Sequence, residues 1–292
     1  MCRLLAYVHS GSVLSMRESL GDLVLDEFQK LALVHRDGWG IVRTSSNSLS
    51  AYISTSPASS DVTMFNALTM QPIDSAILHE RWASPGIGLL LDNQQPFVFK
   101  GVAFAHNGTI GNAEGNVVQR PASYRESLGL AHSTTMSDSR IYADLFFLRL
   151  AELQRSRHTG DGPAGADEVH EALAATIARL REDYPDASFN AVIETANFTF
   201  AARAHADNPV PSAILRRRYE EVGWTDRLDD YYELAYRTFS HTDGSATAVV
   251  SSSGYSASDP WAKLTNNTLL AISHRDATAR TLSLITEYVP GI

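Results

Sequence analysis

A chain of 292 residues, 44% hydrophobic and 20% charged, has ordinary globular composition and enough apolar material for a sizeable core. Its net charge of −9 argues against nucleic acid as a partner, because phosphate binding needs a basic footprint. A single cysteine excludes an intrachain disulfide framework, and no run of 18 apolar residues exists to span a membrane, so a reducing cytoplasm is the expected compartment. The N-terminal stretch MCRLLAYVHSGSVL also lacks the long apolar run and small-residue cleavage site of a signal peptide.

Residues 2–8 (CRLLAYV) read as a strand. Leu20, Leu23, Val24, Phe28, Leu31 and Ala32 recur at helical spacing, which predicts one helix over roughly 17–34. Strands follow at about 39–43, 51–55, 75–83 and 97–106. A second helix over about 138–153 places Ile141, Leu145, Leu148 and Ala151 on one face. A polar loop at 155–165 leads to a third helix from about Asp167 to Asp183. The remainder alternates as strands at 188–195, 197–204, 231–239, 246–252, 268–274 and 281–288, with the charged stretch Asp207–Asp230 as a surface excursion. Strands in adjacent pairs favour antiparallel sheets with helices packed outside. No internal repeat and no linker rich in Pro, Gly or Ser divides the chain, so 1–292 reads as one domain with insertions near 155–165 and 207–230.

Cys2, the only cysteine, stands directly behind the initiator methionine. Aminopeptidases remove Met before small residues, which would leave a thiol and a free α-amine on one residue. The thiolate is the reactive form, with a free pKa of about 8.5, and an α-amine titrating at about 7.7–8.0 can accept its proton. The competing reading is a small buried residue at the start of a strand. His79-Glu80-Arg81-Trp82-Ala83-Ser84 ends another strand beside a turn at Pro85-Gly86. Arg81 there can fork onto a carboxylate, or simply snorkel at a strand end. His106-Asn107-Gly108 is a hairpin-turn signal, or a pair of neutral donors, the Asn107 amide and the Gly108 N–H, converging on one oxyanion. Ser137-Asp138-Ser139 precedes a helix and reads as an N-cap, with Asp138 also able to accept from a substrate ammonium group.

Two patterns carry less. Gly160 to Gly165 matches G-x-G-x-x-G, but no strand precedes it and Pro163 sits inside the turn. His35-Arg36-Asp37-Gly38-Trp39-Gly40 has no second ligand cluster at metal spacing, so no metal and no cofactor is expected and a tight turn entering the strand is preferred.

Taken together, Cys2, DGWGI at 37–41, HERWAS at 79–84, NQQPF at 93–97, FAHNGTI at 104–110, SDS at 137–139 and the late segment from Asp259-Pro260-Trp261 to Leu269-Leu270 resemble the class II (N-terminal nucleophile) glutamine amidotransferase domain. The resemblance implies an α+β fold, a four-layer αββα sandwich of two antiparallel sheets. It implies that Cys2 attacks a γ-carboxamide or γ-glutamyl amide, that Asn107 and Gly108 hold the oxyanion, and that Arg81 and Asp138 bind the substrate α-carboxylate and α-ammonium. Trp82 walls the pocket or belongs to the core. Three positions depart from the family pattern: Arg3-Leu4-Leu5 follows the cysteine in place of the Gly-Ile typical of amidotransferases fused to synthases, Gln95 stands where many relatives carry histidine, and Arg140 where stand-alone relatives often have glutamate. The extent of the match is similar to the stand-alone branch, which includes the γ-glutamyl amidohydrolase of ergothioneine biosynthesis. Hydrolysis of a γ-glutamyl amide or glutamine is therefore the leading expectation. A glutaminase subunit serving a separate synthase, or a non-catalytic protein binding a γ-glutamyl metabolite, are the alternatives.

Overall fold

A computed structural model describes residues 2–11, 14–84, 88–111, 136–157, 162–207, 212–223, 232–253 and 261–285. Met1, the Pro85-Gly86 turn, Asp259-Pro260, residues 158–161, 208–211 and 224–230 of the two expected insertions, and the end of the last expected strand lie outside the described residues. In chain order the elements are β1 (Arg3–Ser10), α1 (Met16–Leu20), α2 (Asp22–Lys30), β2 (Trp39–Ser45), β3 (Ser48–Ser54), α3 (Val62–Thr69) and β4 (Ser75–Glu80). There follow β5 (Phe97–Phe99), β6 (Val102–Asn107), α4 (Asp138–Ser156), α5 (Ala166–Asp183), β7 (Asn190–Glu194), β8 (Phe198–Arg203) and α6 (Ser212–Glu220). The last elements are β9 (Ala235–Ser240), β10 (Ala246–Ser251), β11 (Ala262–Lys263), β12 (Thr268–Ser273) and β13 (Ala279–Ser283).

The strands form two antiparallel sheets, ordered β11-β9-β10-β1-β4-β2-β3 and β13-β12-β8-β7-β6-β5. Side chains alternate across a strand, and β1 shows what that alternation builds. Leu4, Ala6 and Val8 meet Ala105, Val192, Ala201 and Leu270 of the other sheet, while Leu5 and Tyr7 face Met16, Phe28 and Phe65 of the helices. In β7, Val192 joins the inter-sheet core, whereas Ala191 and Ile193 pack with Phe146, Leu173 and Ile177 of α4 and α5. Three apolar layers between four structural layers make the αββα sandwich. Full burial of a Phe or Leu in such a layer contributes about 1.5–3 kcal/mol.

Two expectations are corrected. Residues 17–34 are not one helix. Ser15 caps α1, its hydroxyl accepting from the Glu18 N–H at 3.1 Å while the Glu18 carboxylate accepts from the Ser15 N–H at 2.8 Å. Gly21 at φ +82° then breaks the axis, and a 3₁₀ turn at Leu31–Leu33 follows α2. Helical phase is lost at Gly21, which leaves Leu23 81% exposed. Residues 97–106 form a hairpin and not a single strand: Lys100 (φ 46°) and Gly101 (φ 75°) turn the chain so that Phe97 pairs with Phe104. The charged excursion contains α6, whose Leu215 and Tyr219 are buried against Val34 and Trp82. Two apolar residues four apart were masked by the surrounding charge. Helix α3 was not anticipated.

Candidate active site

Cys2 sits one residue before β1, and the period of two puts it on the inner face with Leu4 and Ala6. Arg3 pairs with Glu80 in the antiparallel register, so Arg81, just past the end of β4, lies opposite Cys2. On the second sheet Ala105 faces the inter-sheet core, which places Asn107 on the same inner face at the end of β6. Strand ends of both sheets thus deliver their side chains to one place. A narrow cleft of about 10 Å³ is lined by Cys2, Arg81, Trp82, Gln95, Gly108 and Asp138, among others. Five of the six expected site residues line it. Asn107, the residue before Gly108, is fully buried beside the lining.

The polar groups divide into those that hold the frame and those with hydrogen-bonding capacity left. The Cys2 thiol is buried and lies 3.8 Å from the Trp82 carbonyl oxygen. Burial pushes its pKa up, against the pull of the N-terminal charge, the Trp82 contact and Arg81. The resting sulfur is therefore a thiol that needs a base. Arg81 is 3% exposed; its Nη2 reaches the Gly88 carbonyl at 3.4 Å, while Nη1 is buried with no hydrogen-bond partner among the described residues. Burial also lowers the Arg81 pKa, against Cys2, Asp37 and Asp138. Asn107 has neither its side-chain oxygen nor its side-chain nitrogen bonded among the described residues. A buried polar atom without a partner costs about 1–3 kcal/mol, so such groups need an explanation, and a ligand is one.

The frame is made by neighbours. Ser137 is the N-cap of α4, its Oγ accepting from the Arg140 N–H at 3.1 Å. Capping thus falls to Ser137, and Asp138 is left to line the cleft while accepting from the Ile110 N–H at 2.8 Å. His106 bridges two elements, its Nδ1 meeting the Ser139 hydroxyl at 2.9 Å and its Nε2 donating to the Ser188 carbonyl at 2.8 Å. Burial lowers its pKa, against Asp138 and the Ser188 contact, which keeps the ring neutral. A Cβ at position 108 would lie 2.4 Å from the Ser188 oxygen and 2.7 Å from His106 Nε2, so the turn requires glycine. Trp82 is half-buried: it lines the cleft, and its ring meets His35 edge-on at 5.6 Å with the Arg218 guanidinium 5.7 Å above it.

Residue-level reading missed several contributors. Asp37 accepts from the Ala83 N–H at 2.8 Å and receives Gln94 Nε2 on its own carbonyl at 2.9 Å, tying the DGWG turn to the strand end that carries Arg81. A Cβ on Gly38 or Gly40 would collide with Gln94 or with the Gln95 carbonyl. Gln95 Oε1 accepts the His106 N–H at 2.6 Å, bracing the start of the Asn107-Gly108 turn. The only signal for these was the set of family-like motifs. Arg140 is drawn to Asp144 at 3.0 Å and over the Phe97 ring at 5.0 Å, so its charge is matched within α4. Among the described residues, no group of three His, Cys, Asp or Glu side chains could hold a metal ion, and no helix is long and apolar enough to cross a membrane.

The two antiparallel sheets between helix layers are a fold of the N-terminal-nucleophile type. The family profile described as "Glutamine amidotransferases class-II" matches residues 1–287. The chain belongs to the class II glutamine amidotransferase family. Solved structures share the fold. Glutamine phosphoribosylpyrophosphate amidotransferase from B. subtilis, complexed with ADP and GMP, is 16% identical with a TM-score of 0.57, over 98% of this chain and 50% of that one. A glutamine aminotransferase class-II domain protein from Silicibacter pomeroyi is 19% identical at a TM-score of 0.54, over 98% of this chain and 100% of that one. A predicted glutamine amidotransferase from Pseudomonas aeruginosa is 16% identical at 0.55, over 96% and 100%. The chain spans half the length of the B. subtilis enzyme. No curated protein matches it.

Proposed function

We propose that this protein is an N-terminal cysteine amidohydrolase that cleaves a γ-glutamyl amide, or glutamine, through a γ-glutamyl thioester. The observation that carries the reading is a buried thiol sharing one cleft with Arg81, whose Nη1 has no partner among the described residues, and with Gly108, whose chain neighbour Asn107 is buried with its side-chain amide likewise unpartnered among them. With Met1 removed, the Cys2 amine takes the thiol proton as sulfur attacks the γ-carbonyl carbon. Asn107 Nδ2–H and the Gly108 N–H donate to the oxyanion. Collapse breaks the C–N bond, and the Cys2 ammonium returns the proton to the leaving amine. Water, deprotonated by the same amine, then attacks the thioester and releases glutamate and the thiol. Arg81 pairs with the substrate α-carboxylate, Asp138 with its α-ammonium, and Trp82 walls the amine side.

The same reading takes 1–292 as one domain with surface insertions near 155–165 and 207–230, acting in the cytoplasm, where a reducing medium keeps the thiol free. A second reading, a glutaminase subunit feeding ammonia to a separate synthase, draws support from the B. subtilis neighbour, half of whose length lies beyond the match. Strong activation by a co-purifying protein, with glutamine preferred over substituted amides, would favour it.

The test is the intact mass of the purified protein before and after incubation with 6-diazo-5-oxo-norleucine, a glutamine-like alkylating agent. Loss of Met1 and one adduct on Cys2 are expected, with glutamate release from γ-glutamyl amides abolished in Cys2→Ala. A retained Met1, or a processed chain that never labels, would overturn the proposal.

A further inference from the structure

Cys2 poses a mechanical problem. It lies outside the β1 ladder, and a residue with a free α-amine is tethered to the chain on one side only. Rotation about the Arg3 N–Cα bond would swing the Cys2–Arg3 peptide plane, and with it thiol and amine together, away from the carbonyl they must attack. Orientation matters steeply, since a displacement of about 1 Å can cost about 10²-fold in rate.

The structure places one side chain on that hinge. Arg3 is 1% exposed, and its Nη1 donates to the Cys2 carbonyl oxygen at 3.3 Å. Its Nη2 donates to the Tyr219 hydroxyl at 2.5 Å. Tyr219 is itself 1% exposed and comes from α6, the helix inside the charged excursion. Its hydroxyl lies 3.5 Å from His35 Nε2, and its ring packs with His35 beside Trp82. Arg3 faces the outer, helical side of β1 while Cys2 faces inward, so the guanidinium grips the Cys2 peptide plane from behind the cleft without entering it. Arg3 is not among the residues lining the cleft. A planar fork is what allows one side chain to hold two acceptors at fixed angles.

We propose that Arg3 and Tyr219 are positioning residues that lock the Cys2 peptide plane, and that α6 is thereby a working part of the active site. The proposal rests on the reading of Cys2 as the nucleophile. It also gives a physical role to one departure from the family pattern, the arginine that follows the cysteine.

Tyr219→Phe removes the hydroxyl and keeps the ring; Arg3→Lys keeps the charge and loses the fork. In the full-length protein, each should lower kcat for glutamate release about tenfold. The maximal rate of Cys2 alkylation by 6-diazo-5-oxo-norleucine should fall by a similar factor. KM and the half-saturating concentration of the alkylating agent should stay within about twofold, because Arg81 and Asp138 are untouched. A role confined to stability would lower the melting midpoint and leave both rates per folded molecule unchanged. Wild-type alkylation and turnover rates in either folded variant would overturn the positioning role. Failure of the wild-type protein itself to label at Cys2 would instead overturn the nucleophile reading.

Discussion

The two ends of the sandwich both bury charged groups between the sheets, and they treat them in opposite ways. At one end of β4 is Arg81, beside Cys2; at the other is Ser75, whose hydroxyl donates to Glu194. Glu194 is fully buried and also accepts from Thr44 Oγ1 at 2.8 Å and Thr199 Oγ1 at 2.5 Å, with His274 Nε2 3.6 Å away. His274 lines a cleft of about 600 Å³, far larger than the one at Cys2. By size alone the larger cleft would be the site. Yet the buried carboxylate there is bonded to its neighbours, whereas Arg81 Nη1 and the whole Asn107 amide have no partner among the described residues. Unused hydrogen-bonding capacity in a buried place is maintained at a cost in stability and needs an explanation, which a ligand supplies. Polar satisfaction, more than volume, distinguishes Arg81 and Asn107 from Glu194.

Substitutions can break or sharpen that contrast. The largest effect is expected at Asn107→Ala, which removes one oxyanion donor: kcat should fall about 10²–10³-fold with little change in KM. Steady-state kinetics showing the reverse pattern would remove Asn107 from that role. Next, Arg81→Lys keeps the charge and loses the fork, so KM should rise about tenfold or more with the fold intact, and unchanged kinetics would take Arg81 out of the site.

At the opposite end, Glu194→Gln should leave kcat/KM within about twofold. It exchanges one acceptor oxygen for a donor and should lower stability by about 1 kcal/mol, read as a melting midpoint a few degrees lower. Loss of turnover without loss of stability would mean that the larger cleft shares in the chemistry.

The smallest effect concerns pH. Burial pushes the Glu80 carboxyl well above its ordinary value, against the pull of Arg3. The folded protein then holds that proton more tightly than the unfolded chain, so this residue's contribution to stability is present below an unfolded pKa of about 4.3 and is lost as pH rises through the folded value. Glu80→Gln lacks this dependence. Its melting midpoint relative to wild type should climb by a few degrees between pH 4 and pH 8; a difference that stays flat with pH would contradict the shift.

Much of this was legible in the chain. The short apolar runs in CRLLAYV, in the segment before Arg81 and in the one ending in FAHN were enough to forecast strands at Cys2, Arg81 and Asn107, because apolar clustering is a local property. The ordered motifs implied the αββα fold that the two sheets and three cores display. Turn geometry was less accessible: Lys100-Gly101 lacks the usual Asn-Gly signal, and one glycine at position 21 breaks an otherwise helical pattern. Ser137 and Asp138 were equally good caps on paper, and only the packing of α4 against Ile110 assigned one to the helix and the other to the cleft.

What the chain by itself determined was chemistry and periodicity: a lone cysteine at position 2, strand ends carrying a guanidinium and an amide, and a carboxylate at the start of a helix. Which donors remain unused, and that a charged excursion more than 200 residues away returns Tyr219 to Arg3, only the tertiary structure decided. Hydrogen-bond satisfaction is a property of all the neighbours of an atom, and those neighbours are assembled from parts of the chain that no local pattern connects.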